Sequence, residues 1–219
     1  VPFDGTTSFK AGCRDAPLAI RQVSYNIETY LPFYDLEMTD VSVHDMGDMY
    51  VECLPDLMVE QVADAVSDLM KDEKVPIMMG GEHSVTIGAV QTLKPKWYVV
   101  CDAHLDMQDE YRGSPFNHDC VTARVSEVVE NIVIIGARSG CKEEFEYARE
   151  NYHLYTADDV EERGIRAVLD EVSELIGDDS LYLSIDADAI DCCLTPGLGT
   201  PEPFGLTPAD VRAVVRRLC

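Results

Sequence analysis

Short apolar runs alternate with amphipathic segments along most of the chain. The apolar runs lack a clean period of two, which is typical of strands buried on both faces of a sheet, and they cover 75–80, 96–101, 131–136 and 180–185. Apolar residues at helical spacing predict helices over 56–72, 119–130, 142–151 and 158–176. Thr207, followed by Pro208 and Asp210, predicts the start of a last helix, with an N-cap, a first-turn proline and an acid near the positive end of the helix dipole.

This alternation predicts an α/β fold in which a parallel sheet is covered by helices on both faces. The chain has 219 residues, a length typical of one domain, and it shows no linker, internal repeat or low-complexity tract. We therefore expect residues 1–219 to form a single domain.

Three of the predicted strands end abruptly in acidic residues or histidine. The segments are MMGGEHS at 78–84, VVCDAHLDMQDE at 99–110 and LSIDADAID at 183–191. Open parallel sheets place their ligands in the crevice outside the carboxyl ends of the strands. We therefore expect the chemistry of this protein at that edge of the sheet.

The charged residues at two of these ends are spaced by two, so on an extended segment each pair points the same way: Asp102 with His104, and Asp186 with Asp188. Neither motif contains Lys or Arg, so burying these carboxylates requires another source of positive charge. His83 and Asp106 extend the set to four carboxylates and two imidazoles, a mixture that suits Mn²⁺ and is large enough to hold two divalent ions.

Each element also has a simpler interpretation. A lone pair of acids spaced by two is common on solvated loops, and a lone histidine after Gly-Gly, such as His83, is more often a capping residue. The metal hypothesis gains weight because all three motifs end strands of the same predicted sheet.

The composition narrows the class of partner. Asp and Glu number 41 against 17 Lys and Arg, giving a formal net charge of −24, which disfavours nucleic acid and anionic membrane surfaces. Part of this excess is accounted for by a solvated acidic surface. No apolar run approaches 18 residues, and the eight cysteines lack the close repeated spacing of a disulfide scaffold. We expect a soluble, cytoplasmic protein with reduced and mostly buried thiols.

At this point the motifs GGEHS, DAHLD and SIDADAID, with TPGLGTPEP after the last, resemble those of the ureohydrolases, the arginase and agmatinase family. The opening segment VPFDGTTSFKAGCRDAPLAIR resembles the agmatinase branch. The resemblance extends over essentially the whole chain. It implies a three-layer α/β/α, arginase-like fold with a mostly parallel central sheet and two Mn²⁺ ions per chain.

The resemblance also implies a role for each residue. One ion would be held by His83, Asp102, Asp106 and Asp186, and the other by Asp102, His104, Asp186 and Asp188, with Asp102 and Asp186 bridging the two. Two divalent ions lower the pKa of a shared water, and the resulting bridging hydroxide would attack the guanidino carbon of the substrate.

His118 matches the position proposed to shuttle protons and to contact substrate, and we expect it to titrate near neutrality. Thr200 and Glu202 would lie at the rim of the substrate pocket. Without the resemblance, His118 is equally well interpreted as a histidine at a helix N-terminus that Asn117 or Ser114 caps.

Three features depart from the family pattern. Asp191-Cys192-Cys193 stands where Asp-Pro is usual. Relatives are expected to continue beyond the last helix to a strand that carries a substrate-binding acid, so the C-terminal part looks truncated at Cys219. No residue is assigned to the far amine end of the substrate.

The leading hypothesis is a manganese-dependent amidinohydrolase of the agmatinase type, which cleaves agmatine to putrescine and urea. The resemblance also implies a homo-oligomer, a trimer or hexamer. The alternatives within the class are arginase and other guanidino or formimino hydrolases. A two-metal phosphoesterase fits the ligands but lacks a basic group to receive phosphate. A non-catalytic metal-binding homologue without substrate capture also stays open.

Overall fold

In a computed structural model that describes all of residues 1–219, a parallel four-stranded sheet lies at the centre and a short antiparallel hairpin lies apart from it. The hairpin strands are β1 (Tyr30–Leu31) and β2 (Leu36–Glu37), and the sheet consists of β3 (Trp97–Cys101), β4 (Asn131–Ala137), β5 (His153–Thr156) and β6 (Leu181–Ile185). The sheet order is β5-β4-β3-β6 with all pairs parallel, so β6 is an edge strand.

Eight helices accompany the strands, and most of them connect one strand to the next, as parallel pairing requires. They are α1 (Ala16–Ser24), α2 (Pro55–Lys71), α3 (Val85–Leu93), α4 (Val121–Ser126), α5 (Lys142–Asn151), α6 (Ala157–Arg163), α7 (Ile165–Ile176) and α8 (Pro208–Leu218).

The sheet separates two hydrophobic clusters because successive side chains of a strand point to opposite faces. On one face, Tyr98 and Val100 of β3 pack with residues of α2, α3 and α4. On the other face, Val99 and Cys101 pack with residues of α6, α7 and α8. The three-layer α/β/α arrangement with a central parallel sheet is therefore confirmed.

Three of the four predicted strands and most of the predicted helices form close to their expected bounds. The last helix begins as its sequence indicates, with Thr207 as the N-cap and Pro208 in the first turn; the Thr207 hydroxyl accepts from the backbone N–H of Asp210. Helices α1 and α3, the β1–β2 hairpin and strand β5 were not predicted from the sequence.

The prediction of a buried strand over 75–80 is wrong. The side chains of Val75 and Ile77 are 89% and 81% exposed, and no strand of the sheet lies beside this segment. Its end instead meets the first residues of the chain, since Met79 O accepts from the N-terminal ammonium of Val1 at 2.7 Å. Just after it, the N–H of Gly81 donates to Val1 O, and that of Glu82 donates to Phe3 O. A run of apolar residues forms a strand only where neighbours pair with its backbone, and that pairing is a tertiary property.

Two predicted helices are shorter than expected. The helix predicted over 158–176 is divided at Gly164, whose φ of 78° ends α6 before α7 begins. The helix predicted over 119–130 is limited to α4, because a 3₁₀ turn at 118–120 precedes it and residues 127–130 turn the chain into β4.

All eight cysteines are free thiols, but only Cys101 and Cys120 are buried, so the expectation of mostly buried thiols is wrong. Cys53 and Cys141 lie in exposed connections just before helices, which sets them outside the core. The helices of this chain are all too short or too polar to cross a lipid bilayer.

The crossing of α2 and α3 depends on the absence of a side chain at Gly88. A Cβ at this position would lie 2.3 Å from the carbonyl oxygen of Val59 in α2. We expect Gly88→Ala to lower the free energy of unfolding by about 1–3 kcal/mol, the usual cost of overpacking, as measured by urea denaturation. Gly197→Ala is the matched control, since a Cβ there meets nothing within 4 Å. Equal midpoints for the two variants would contradict this packing argument.

Candidate metal centre

Six polar side chains converge at the carboxyl end of the sheet. Asp102 follows β3 and Asp186 follows β6, and these are adjacent parallel strands that end at the same edge. His83 comes from the segment before α3, which the hydrogen bonds to the first residues of the chain place beside the sheet. The full set is His83, Asp102, His104, Asp106, Asp186 and Asp188.

The ring of His83 faces three of the carboxylates through one nitrogen. Its Nδ1 lies 2.8 Å from Asp106 Oδ2, 3.0 Å from Asp102 Oδ2 and 3.7 Å from Asp186 Oδ2. The other nitrogen, Nε2, lies 3.1 Å from the Ser184 hydroxyl and 3.3 Å from the Tyr98 hydroxyl. The two hydroxyls behind the ring therefore hold Nδ1 toward the carboxylates.

A second group forms around His104. Its Nδ1 lies 3.1 Å from Asp188 Oδ2 and 3.6 Å from Asp102 Oδ1. Ligand-type atoms of His83, Asp102 and Asp106 lie within 4.8 Å of one another, and so do those of Asp102, His104 and Asp188. Asp102 belongs to both groups. Asp186 is outside both, although its carboxylate is close to His83.

Local hydrogen bonds orient the carboxylates. The backbone N–H of Ala103 donates to Asp188 Oδ1 at 3.1 Å, and the N–H of Asp188 donates to Asp186 Oδ1 at 3.0 Å. The N–H of His104 donates to Asp102 Oδ1 at 2.7 Å. Asp106 has a left-handed backbone with φ of 51°, a conformation that aspartate tolerates better than most residues. The bonds to Asp102 and Asp186 engage one oxygen of each, and the other oxygen of each faces His83 Nδ1. Both oxygens of Asp188 are engaged, because its Oδ2 accepts from the Thr200 hydroxyl.

The positive charge in the cluster comes only from imidazoles. No Lys or Arg lies within 4 Å of its four carboxylates. Burial, followed by the charge of Asp188, raises the pKa of Asp186 to about 6. Burial alone would lower the pKa of His104, but its hydrogen bonds to Asp102 and Asp188 raise that pKa to about 12. The donor set is therefore short of cations, and four carboxylates with two imidazoles are chemically suited to two divalent ions of the manganese type.

His118 lies beside this cluster and is held by the first residues of the chain. The Thr6 hydroxyl donates to Glu82, whose buried carboxylate also accepts from the Thr6 N–H at 2.9 Å and from the Ser84 hydroxyl at 2.6 Å. Thr6 Oγ1 lies 3.1 Å from both the backbone N and the ring Nδ1 of His118.

This arrangement determines the tautomer of His118. With Glu82 ionised, the single hydroxyl proton of Thr6 goes to that carboxylate and the Thr6 oxygen accepts from His118, which places the ring proton on Nδ1. Nε2 is left to accept from the Ser8 hydroxyl at 3.0 Å. Burial, followed by the charges of His83 and His104, lowers the pKa of His118 to about 4. The ring is therefore neutral at neutral pH, below the titration range expected from the sequence.

The remaining predicted site residues lie on the loop after β6. The Thr200 hydroxyl donates to Asp188 Oδ2 at 2.9 Å, and Glu202 Oε1 accepts from the Ser139 hydroxyl at 3.1 Å. Thr200 lines a cavity of about 620 Å³ whose lining also includes all six cluster residues and His118. Glu202 does not line that cavity.

Sequence reasoning missed Thr6, Ser8 and Glu82 as parts of this site. Glu82 precedes His83 in GGEHS, so its position in the motif was an available signal. Thr6 and Ser8 carried no such signal, because only folding brings them within hydrogen-bonding distance of a residue more than 100 positions away.

The fold and the cluster together define a class of protein, and the comparisons with known proteins agree with it. A sequence profile of the Arginase family matches residues 1–219, and the chain belongs to this family. Members of the family are hydrolases that act on carbon–nitrogen bonds of amidino groups and depend on two metal ions, typically manganese.

Several relatives and solved structures are similar over most of the chain. An N(1)-aminopropylagmatine ureohydrolase of Thermococcus kodakarensis is 43% identical, with 94% of this chain and 71% of the relative covered. An agmatinase of Pyrococcus horikoshii is 39% identical, with 94% and 72% covered. The crystal structure of an agmatine ureohydrolase of Thermoplasma volcanium has a TM-score of 0.92 at 39% identity, with 99% and 75% covered.

The tautomer of His118 can be tested directly. In the wild-type protein we expect nitrogen-15 NMR to place the ring proton on Nδ1, whereas Thr6→Val removes the acceptor and allows both tautomers. Thr6→Ser keeps the hydroxyl and should preserve the wild-type pattern. A ring proton on Nε2 in the wild-type protein would show that the hydrogen-bond assignment is wrong.

Proposed function

We propose that this chain is a binuclear manganese hydrolase that cleaves the guanidino group of a small cationic alkylguanidine to an amine and urea. Agmatine, which would give putrescine, is the substrate we favour. The observation that carries this proposal is the convergence of four carboxylates and two imidazoles, with no Lys or Arg, around the shared residue Asp102.

Each cluster residue has a role in this proposal. His83 and Asp106 would hold one ion, His104 and Asp188 the other, and Asp102 and Asp186 would bridge them. When bound, such a pair of ions supplies a water activated for attack at neutral pH and stabilises negative charge on the reacting group. Support for Asp102 as a bridge comes from its membership of both ligand groups. Support for Asp186 as the second bridge comes from the position of its carboxylate, 3.7 Å from His83 Nδ1.

His118 and the loop after β6 would handle protons and substrate. The unprotonated Nε2 of His118 can take up a proton and return it to the departing amine, while Nδ1 stays bonded to Thr6. Thr200 holds Asp188 in place and faces the same cavity as His118, so it can position substrate as well. Glu202 would contact substrate at the rim of the pocket, where its Oε1 lies 3.6 Å from His104 Nε2.

N(1)-aminopropylagmatine is a second candidate substrate. The N(1)-aminopropylagmatine ureohydrolase of Thermococcus kodakarensis is 43% identical to this chain, and a cavity of about 620 Å³ has room for a longer polyamine. Both candidates carry a guanidino group and a distal amine, and the net charge of −24 favours such cations over anionic substrates.

The same proposal covers the organisation of the chain. Residues 1–219 would form one domain, since both hydrophobic clusters pack on the same sheet. A cytoplasmic homo-oligomer is supported by the free thiols and by apolar side chains exposed between residues 18 and 57, among them Val23, Tyr25 and Ile27.

Metal content tests the centre independently of activity. We expect the purified protein to bind two Mn²⁺ ions per chain, and Asp102→Asn to lose binuclear loading because Asp102 contributes to both groups. Metal can be counted by inductively coupled plasma mass spectrometry after dialysis. Asp178→Asn, an exposed acid that precedes β6 and so lies at the opposite end of that strand from the cluster, should keep the wild-type content. Unchanged loading in the Asp102 variant would remove the basis of the proposed bridge.

Urea release tests the activity. With added Mn²⁺, we expect the highest kcat/KM with agmatine or N(1)-aminopropylagmatine. We expect a much lower kcat/KM with arginine, because it shares the guanidino group but carries a carboxylate beside its amine. His118→Asn should lower kcat by about 10²–10⁴-fold, the usual range for loss of a general acid–base group. Metal-loaded protein that releases no urea from any of the three compounds would instead support a non-catalytic homologue.

A further inference from the structure

A second, smaller cavity of about 100 Å³ adjoins the cluster. Five of its seven lining residues also line the larger cavity, so the two are continuous around His104, Asp106 and His118. The two residues that only the smaller cavity adds are Tyr111 and Asp119. The smaller cavity is therefore a branch of the substrate space that ends against an aromatic ring and a carboxylate.

The Asp119 carboxylate has no partner of its own within the protein. Its backbone is fixed: the N–H donates to Asn117 Oδ1 at 3.2 Å, and the carbonyl accepts from the N–H of Gln108 at 3.1 Å. The side-chain oxygens form no hydrogen bond or ion pair. The cation nearest in sequence, Arg124, is bonded to Asp109 and Glu127 instead.

This carboxylate is also partly shielded from solvent. Asp119 is half-buried, and burial together with the charge of Glu144 raises its pKa to about 6. Partial burial without a partner disfavours the charged form of a carboxylate, and an opposite charge nearby restores it. A cation entering the smaller cavity would provide the missing partner.

We propose that Asp119, together with the ring of Tyr111, forms the subsite for the distal ammonium group of the substrate. The inference rests on the proposed function and deepens it, since it assigns the end of the substrate that the sequence left without a residue. An ammonium ion gains a charge-assisted hydrogen bond from a carboxylate and a further attraction from an aromatic face.

The subsite would also discriminate among guanidino compounds. Arginine carries a carboxylate beside its amine, and that carboxylate would meet the negative charge of Asp119. Arg112 is the one basic residue close by: its guanidinium lies 5.4 Å from the centre of the Tyr111 ring and donates to the carbonyls of Thr7 and Ser8. Arg112 does not line the smaller cavity, so the charge that faces this cavity from the loop is that of Asp119.

Binding measurements separate the subsite from turnover. We would measure, by isothermal titration calorimetry on manganese-loaded protein in which His118→Asn slows hydrolysis in every variant compared, the affinity for agmatine and for 1-butylguanidine, which has the same guanidino group and chain but no amine. We expect the protein with Asp119 to prefer agmatine and Asp119→Asn to weaken agmatine binding by about tenfold or more, the effect of losing one charged hydrogen bond. Affinity for 1-butylguanidine should stay within about twofold.

Glu110→Gln is the matched control, because it removes one negative charge from an exposed position on the same loop. It should leave both affinities unchanged, which excludes a general effect of net charge. Kinetic data on the same substitutions in protein that retains His118 add a second readout: Asp119→Asn should raise KM for agmatine and narrow the preference for agmatine over arginine.

The outcomes distinguish this inference from the proposed function. If Asp119→Asn weakens the binding of agmatine and of 1-butylguanidine equally, or weakens neither, the subsite is overturned even if the enzyme hydrolyses agmatine normally. A protein with Asp119 that binds agmatine no more tightly than 1-butylguanidine would overturn it as well. The expected binding pattern without any urea release by the wild-type protein would support the subsite and refute the hydrolase.

Discussion

Four carboxylates brought together at the end of a hydrophobic sheet are the constraint on which the rest of this structure depends. Taking an ionised carboxylate out of water is costly unless positive charge and hydrogen bonds replace the solvent. Here the hydrogen bonds come from backbone N–H groups of the same loops, and the only positive charges within reach are those of His83 and His104. The architecture therefore concentrates negative charge where divalent cations would neutralise it.

The loop after β6 must keep its position for this cluster to form. Arg138, just beyond β4, donates to the carbonyls of Pro203 at 2.7 Å, Asp188 at 2.8 Å and Glu202 at 2.9 Å. Its guanidinium has no carboxylate partner in this arrangement and acts as a connector between backbone segments. A planar group with five donors suits this task better than a lysine would. The sheet edge, Arg138 and the loop thus form one support for Asp188 and Thr200.

The first residues of the chain form the other wall of the site. Thr6 connects the buried carboxylate of Glu82 to the ring of His118, and Ser8 contacts the opposite nitrogen of that ring. The same segment pairs with residues 79–82 through its backbone, so the position of His83 and the tautomer of His118 depend on one piece of chain. Glu82 therefore connects the two parts of the site: it precedes His83 in sequence, and it is hydrogen-bonded to Thr6, which holds the ring of His118.

The sequence by itself determined the class of fold and the members of the cluster. Apolar runs followed by Asp and His at strand ends were sufficient for the residues after β3 and β6, because burial and periodicity are encoded locally in residue type. His83 was identified from its motif, but the strand predicted before it is absent, and bonds to the first residues of the chain position it instead. Tertiary structure decided what local pattern could not: that 75–80 lacks strand neighbours, that Gly164 divides a helix, and that Thr6 reaches His118. It also left Asp119 without a partner beside the site. Each of these depends on which distant backbone or side chain fills the neighbouring space, and residue spacing along the chain carries no information about that.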